Sequence, residues 1–464
     1  MVNKKLLGAA VLAALLIGMV GVSNAQFAAK DPGVRGGAAG AGQMLQGLNA
    51  QQRALFTDGQ ADFAEAEGVG DGLGPRFNLD SCGGCHAAPA VGGSSPAVNP
   101  QVALATAFGA RNTVPSFIRR NGPVREVRFV KNPDGSPDGG VHALFVISGR
   151  VDSTGNASGC NIKQDDFATQ FANNNAIFRI PTPTFGLGLI EAIPDKTLVA
   201  NQAAAAPQKA QFGIGGRFNT RSTSSSSSTS SSVSGEMNRS GNDGTITRFG
   251  WKAQNKSLLV FSGEAYNVEM GITNDAFQNE RDETASCQFA TVPNDPQPDD
   301  GTIGAIEKFA VFMRFLAAPT PSTNSPGGST SINNGKQVFS QVGCNLCHTP
   351  TLTTGNAYTP ALANKSVNLF SDLMLHGMGP GLADGISQGA AAGDEFRTAP
   401  LWGLGQRIFF LHDGRTSDLV EAIQQHRSAG NATYSASEAN GVINNYNGLR
   451  ESDKQDLLNF LRSL

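Results

Sequence analysis

Two short stretches hold residue types that can bond a redox cofactor covalently. Cys344-Asn345-Leu346-Cys347-His348 and Cys82-Gly83-Gly84-Cys85-His86 both read C-x-x-C-H. That spacing is the haem c attachment pattern: the two thiols bond to the haem vinyl groups, and the adjacent histidine reaches the iron as proximal ligand. One copy of so short a pattern could be accidental. With only six cysteines and six histidines in 464 residues, two copies are not. A structural zinc site is the rival use of Cys and His, and the expected compartment argues against it.

That compartment is read from the N-terminus. Lys4 and Lys5 precede an apolar run from Leu6 to Val22, and Ser23-Asn24-Ala25 follows. A basic start, an apolar middle and a small-residue site mark residues 1–25 as a secretory signal peptide, with a membrane anchor as the alternative. The run is short and Gly/Ala-rich for a span, so no stable membrane segment is expected after cleavage, and the mature chain is expected in the periplasm. Acidic residues outnumber basic ones, 38 to 35, and no basic stretch stands out, which excludes general nucleic-acid binding. Cys160 and Cys287 are left over from the two motifs, and in an oxidising compartment they are expected to form a disulfide.

The elements that must position these residues follow from pattern. Residues 26–42 are small and read as frayed. Gln43 to Phe56 reads as a short helix weakened by Gly47. The β-formers of 124–129 and 141–147, around Asn132-Pro133-Asp134-Gly135, read as two strands and a turn. Residues 178–194, rich in Pro and Gly, read as an extended wall. The Ser/Thr tract 222–234 reads as a disordered insertion. Ile306, Phe309, Met313 and Leu316 give residues 303–316 a helical period. The Pro/Ser/Gly-rich residues 317–333 read as a linker. Residues 334–464 are the size of one cytochrome c domain, closed by a helix with Ser452 and Gln455 as a capping box and Leu457, Leu458, Leu461 and Leu464 on its apolar face. The expected architecture is mainly α with extended loops and a few β-strands. It holds two cytochrome c-like haem domains, 26–316 and 334–464, the first enlarged by insertions.

A haem with one protein ligand keeps a reactive position open, whereas a second strong ligand makes an electron-transfer centre. Four histidines remain to decide this. His426 follows Leu419 and Ile423 on the apolar face of a short helix, 417–427, and is the expected second ligand of the haem held by Cys344, Cys347 and His348. His412 opens a polar turn, His412-Asp413-Gly414-Arg415, suited to binding a propionate or orienting a neighbour. His376 lies in a glycine-flanked loop with Met378, either of which could ligate. His142 lies on a strand, with a structural or a functional reading open. No histidine lies between His86 and His142, so the first haem is expected to lack a nearby sixth ligand. A five-coordinate haem with a carboxylic acid above it can cleave peroxide, the acid moving a proton from the inner to the outer oxygen. The candidate acids are Glu269 and Glu191.

The chain resembles the di-haem oxidoreductases related to bacterial di-haem cytochrome c peroxidases. The resemblance rests on Gly72 to Phe77 before Ser81-Cys82, Phe185 to Pro194, Arg248-Phe249-Gly250-Trp251-Lys252-Ala253, Glu269-Met270-Gly271-Ile272-Thr273, Ser371-Asp372-Leu373 through Asp384, and Leu401-Trp402-Gly403-Leu404 through Arg415. It implies one haem in each of two domains, Trp251 as the relay between them, and Glu269 as the active-site acid. It also implies that His426 fills a slot where the peroxidases carry an axial methionine, which lowers that haem's potential. The peroxidases' distal histidine shortly after the first haem motif has no counterpart here.

The expected activity is therefore reduction of hydrogen peroxide at the first haem. Electrons from a small cytochrome c or cupredoxin would enter at the second and pass by way of Trp251. Two other readings stand beside it. One is an electron-transfer module in which His142 or His376 completes the first haem. The other resembles the methylamine dehydrogenase maturation enzyme, in which a high-valent haem oxidises a partner protein.

Overall fold

The computed structural model describes residues 28–220 and 246–464. The expected signal peptide and Ser tract lie outside the described residues. The chain is mixed, with helices joined by long irregular segments and a few short antiparallel strands. Among the described residues, no helix is long and apolar enough to cross a membrane.

Two helix pairs brace the two halves. Ala50–Ala64 packs on Ala305–Phe315, and Gly328–Val342 packs on Glu451–Ser463. Each pair meets at a glycine for the same steric reason. A Cβ on Gly59 would sit 2.4 Å from the Lys308 carbonyl oxygen, and one on Gly335 would sit 2.0 Å from that of Asp456. The first pair carries Phe56, Phe63, Phe309 and Phe312 into the larger core. The second carries Phe339, Phe460 and Leu457 into the core of the C-terminal half.

The helix expected from Gln43 starts later, at Ala50. Gly47 takes a positive φ of 86°, and Asn49 forms a capping box with Gln52. Residues 178–194 run extended at first, but Leu187–Glu191 is a helical turn. The helix Gly328–Val342 begins inside the segment read as linker. The last helix, Glu451–Ser463, is entered through Arg450, so Ser452 lies within it and caps nothing. Its expected capping partner Gln455 exchanges two hydrogen bonds with the Lys30 backbone instead. Residues 29–40 are accordingly a strap rather than a frayed end. Ala29 N–H donates to Glu451, Arg35 N–H to the Gly405 carbonyl, and the buried Asp31 accepts both Leu419 N–H and a bidentate pair from Arg462 at 2.6 and 2.7 Å. Cys160 and Cys287 are joined as a disulfide, as expected.

A three-stranded antiparallel sheet orders Val141–His142, Glu126–Phe129 and Ala176–Arg179, with Glu126 opposite Arg179. Side chains alternate across a strand. Val127 and Phe129 enter the core, while Glu126 and Arg128 share the other face. That alternation supplies polar groups to the site described next.

Candidate functional site

Each C-x-x-C-H stretch opens on its own cavity. Cys82–Cys85 is one helical turn, and His86 N–H closes it on the Cys82 carbonyl at 2.9 Å, which brings both thiols to one side. Cys344–Leu346 makes the equivalent tighter turn, with His348 N–H on the Cys344 carbonyl at 2.9 Å. In three histidines Nδ1 faces a backbone carbonyl: His86 faces Gly93 at 2.9 Å, His348 faces Phe370 at 3.0 Å, and His426 faces Ala422 at 2.8 Å. A carbonyl only accepts, so Nδ1 carries the proton and Nε2 keeps its lone pair. Burial lowers the pKa of all three. His348 is pushed to about 4, with His426 nearby as the second cause. Two thiols beside a neutral imidazole with a free Nε2, at a cavity with room for a planar macrocycle, fit a haem at both places.

The first cavity encloses about 1040 Å³, partly continuous with solvent, and is lined by Cys82, Cys85, His86, Trp251 and Glu269 among others. No histidine but His86 lines it. Glu269 ends the helix Leu258–Met270, whose start is fixed by the Ser257 cap and by Glu191 accepting Leu258 N–H. Its end is stitched to the segment before the first motif, Asn78 N–H on the Glu269 carbonyl at 2.7 Å and Gly74 N–H on that of Met270 at 2.9 Å. The Glu269 carboxyl accepts from the Asn78 amide at 3.1 Å and pairs with Glu126. Burial opposes ionisation of both acids. Arg128, bonded to Glu126 at 2.6 Å, holds Glu126 as the anion, and that charge adds to burial in keeping Glu269 protonated well above the usual carboxyl range. Glu126, Arg128 and Arg179 were not singled out from sequence. Their signal was the Glu126-Val127-Arg128-Phe129 alternation on an expected strand.

The second cavity encloses about 1430 Å³, likewise partly open to solvent. Cys344, Cys347, His348 and His426 line it, with a mostly apolar wall that includes Phe339, Phe410, Leu419 and Ile443. His376, Met378 and His412 line it too. His376 has both ring nitrogens engaged, Nε2 with Asp372 at 3.0 Å and Nδ1 with Glu438 at 2.7 Å. Burial opposes its charge, yet the Asp372 carboxylate bonded to it holds its pKa well above the usual histidine value. His412 stacks on Phe396 at 4.3 Å and meets Trp251 edge-on. Burial lowers its pKa to about 4. Trp251 lines both cavities and donates its Nε1–H to the Ile180 carbonyl at 2.9 Å.

Three candidate roles are corrected by these positions. His142 lies between Asp138 at 2.7 Å and Asp165 at 3.3 Å, stacked on Phe129, and lines neither cavity. His376 belongs to the second cavity, so it cannot complete a haem in the first. Glu191 is bound to Arg314 and caps a helix, and it too lines neither cavity.

An ion-pair bridge joins the two cavities. Arg179, in the first wall, meets Asp384 at 2.7 Å. The other Asp384 oxygen meets Lys252 at 3.0 Å, and the Lys252 ammonium lies 4.1 Å from the Phe396 ring in the second wall. Lys252 also reaches the carbonyls of Ala392, Gly393 and Glu395.

No curated protein matches the chain. Among solved structures, Kuenenia stuttgartiensis hydrazine synthase pressurised with xenon is 18% identical over 34% of this chain and 55% of that one, with a TM-score of 0.22. The chain therefore spans about half of that protein's length. Residues 130–464 match the family described as "Di-haem oxidoreductase, putative peroxidase". The match takes in Arg179, Trp251, Glu269 and the whole second cavity motif, and begins after the first motif and Glu126. With most of its length inside that match, the chain belongs to the di-haem oxidoreductase family.

Proposed function

We propose that this di-haem oxidoreductase is a periplasmic peroxidase with two covalently held haem c groups. It would reduce hydrogen peroxide at the first cavity and take in electrons through the second. Cys82, Cys85 and His86 would hold one haem, and Cys344, Cys347, His348 and His426 the other. The carrying observation is a contrast in wall chemistry. The first cavity pairs a single imidazole with a buried carboxyl kept protonated, whereas in the second His348 and His426 both present a free Nε2 within a mostly apolar wall.

A haem bound in the first cavity would supply the electrons that cleave an oxygen–oxygen bond. The chain supplies the proton. Glu269 holds it on its carboxyl, the Asn78 amide fixes that carboxyl, and the Arg128–Glu126 pair keeps the proton from leaving before a more basic oxygen arrives. Arg125 and Arg179 in the same wall add positive charge that favours the departing oxygen as it becomes negative. Trp251, touching both cavities, is the packed side chain through which electrons would cross. A small cytochrome or cupredoxin is the expected donor. The non-enzymatic reading needed His142 or His376 at the first haem, and both have their ring nitrogens committed elsewhere.

Magnetic circular dichroism on the oxidised protein tests the assignment. One high-spin and one low-spin haem are expected. Two low-spin haems in every redox state, with no peroxide turnover, would end the peroxidase reading.

A further inference from the structure

Behind the wall of the first cavity stands a tyrosine that the proposed reaction does not use. Tyr266 lies on the helix Leu258–Met270, one turn before Met270, and is 4% exposed. Its hydroxyl donates to Glu67 at 2.8 Å. Its ring meets Phe309 edge-on at 5.1 Å, Phe309 meets Phe63 at 6.0 Å, and Phe63 meets His86 at 5.9 Å. Phe63 and Phe309 themselves line the cavity. A continuous row of packed rings thus runs from the first motif's histidine to a phenol that ends on a carboxylate.

Removing one electron from a phenol makes its O–H strongly acidic, so a buried tyrosine is oxidised readily only with a base already bonded to the hydroxyl. Glu67 is such a base. Burial lifts its pKa and the nearby Glu65, Asp71 and Asp295 add to that, against the Tyr266 hydrogen bond, leaving it at about 7. A base poised near ambient pH accepts and returns a proton most effectively. Trp251 is placed differently. Its N–H partner is a carbonyl, which cannot take the proton, and the Arg407 guanidinium 5.6 Å from the ring opposes a positive charge there. Trp251 suits electron passage; Tyr266 suits storage of an oxidising equivalent.

We propose that Tyr266 is a redox-active residue that loses one electron to the peroxide-oxidised first centre while its phenolic proton moves to Glu67. The inference rests on the peroxidase reading above. The bond that breaks is the phenolic O–H. The electron leaves along Phe309, Phe63 and His86, the proton stays on Glu67, and a neutral phenoxyl radical remains. Hydrogen peroxide is the oxidant: it takes two electrons and two protons to end as two waters, the first centre supplying both electrons and Tyr266 returning one of them to it. One electron from the donor protein and the proton held by Glu67 restore the phenol. When donor is scarce, this site draws oxidation away from Met270, whose sulfur lies 3.9 Å from Cys82 Sγ and is chemically vulnerable.

The test mixes the haem-loaded protein with hydrogen peroxide in the absence of donor, freezes it, and records electron paramagnetic resonance beside the optical spectrum. The expected result is a tyrosyl signal, narrowed by ring-deuterated tyrosine, that disappears in Tyr266→Phe. It should also weaken in Glu67→Gln, which keeps an acceptor for the hydroxyl but removes the base. The glutamine variant leaves Tyr266 in place and carries the test if Tyr266→Phe folds poorly. A signal unchanged in both variants would assign the radical to Tyr358, Tyr434 or Tyr446 and overturn the inference. A haem spectrum that responds to peroxide with no tyrosyl signal overturns the inference alone. A haem spectrum that does not respond at all overturns the peroxidase reading, and this inference with it.

Discussion

The two cavities begin from the same five-residue pattern and end with opposite walls. Around Cys82-x-x-Cys85-His86 the chain gathers Glu126, Glu269, Arg125, Arg128, Arg179, Asn78 and Gln101, a polar network able to hold a proton. Around Cys344-x-x-Cys347-His348 it gathers a mostly apolar wall of phenylalanines, leucines and isoleucines, in which His426 stands with its Nε2 free and His376 and His412 also take part. The shared five-residue pattern therefore does not by itself distinguish the two cavities. The difference is set by what distant elements deliver to the other side of the pocket. For the first cavity these are a strand at 126–129 and a helix end at 269. For the second they are a short helix and the residue just past it, at 426.

The largest expected effect breaks the contrast at the proton. Glu269→Gln keeps the hydrogen-bonding shape but loses the acid, and should cut peroxide turnover about 10²–10⁴-fold, with both haem spectra unchanged. Stopped-flow mixing with peroxide measures it, and an unchanged rate would show that the proton comes from elsewhere. The next breaks the bridge between the cavities. Asp384→Asn leaves Arg179 and Lys252 as buried charges without their counter-ion, and should cost about 3–5 kcal/mol in urea unfolding. A loss under about 1 kcal/mol would mean the two cations relax into water.

A third prediction sharpens the second cavity's apolar character through pH. His412 is held at about 4 in the folded protein by burial, against 6.5 for the free side chain. Below pH 6.5 the unfolded chain takes up a proton that the folded one refuses, so stability declines from pH 6.5 down to about 4. Each pKa unit is worth about 1.4 kcal/mol, so the decline amounts to about 3 kcal/mol. In His412→Gln that part of the acid decline should vanish from thermal melts recorded across the window. The smallest effect is confined to rate. Trp251→Phe removes the indole shared by both walls, and should slow reduction of the first haem after the second has been reduced while leaving ligand spectra alone.

The two C-x-x-C-H stretches and His426 stand out in the sequence through short spacing, two thiols and a histidine in one turn or an imidazole three residues past Ile423, and the structure sets them at the cavity walls. Glu269 is one of two candidate acids in the sequence, the resemblance singles it out together with Trp251, and the structure puts both in the first wall. Glu126 and Arg128 were hidden even though their strand was expected. Alternation placed them on one face, but pairing with Ala176–Arg179, some fifty residues on, decides which face meets the cavity. His142 and His376 failed as iron ligands for a related reason. In each, Nε2 meets an aspartate four residues earlier, Asp138 or Asp372, while Nδ1 meets a carboxylate from far along the chain, Asp165 or Glu438, at 23 and 62 residues' distance. The displaced first helix was a local error. The Asn49–Gln52 capping box is itself in the sequence, and together with the positive φ of Gly47 it sets the start at Ala50 rather than Gln43.

The strap at residues 29–40 bears on how the molecule is assembled over time. Asp31 reaches its partner Arg462 across 431 residues of chain, and closing so long a loop comes late because its entropy must be met before the contact repays it. During synthesis the beginning of the chain must therefore wait, unlatched, for the final helix. Until that latch closes, the C-terminal core lacks one of its sides. A haem could reach Cys344 and Cys347 in that interval, and truncation of the last helix would leave the strap with nothing to hold.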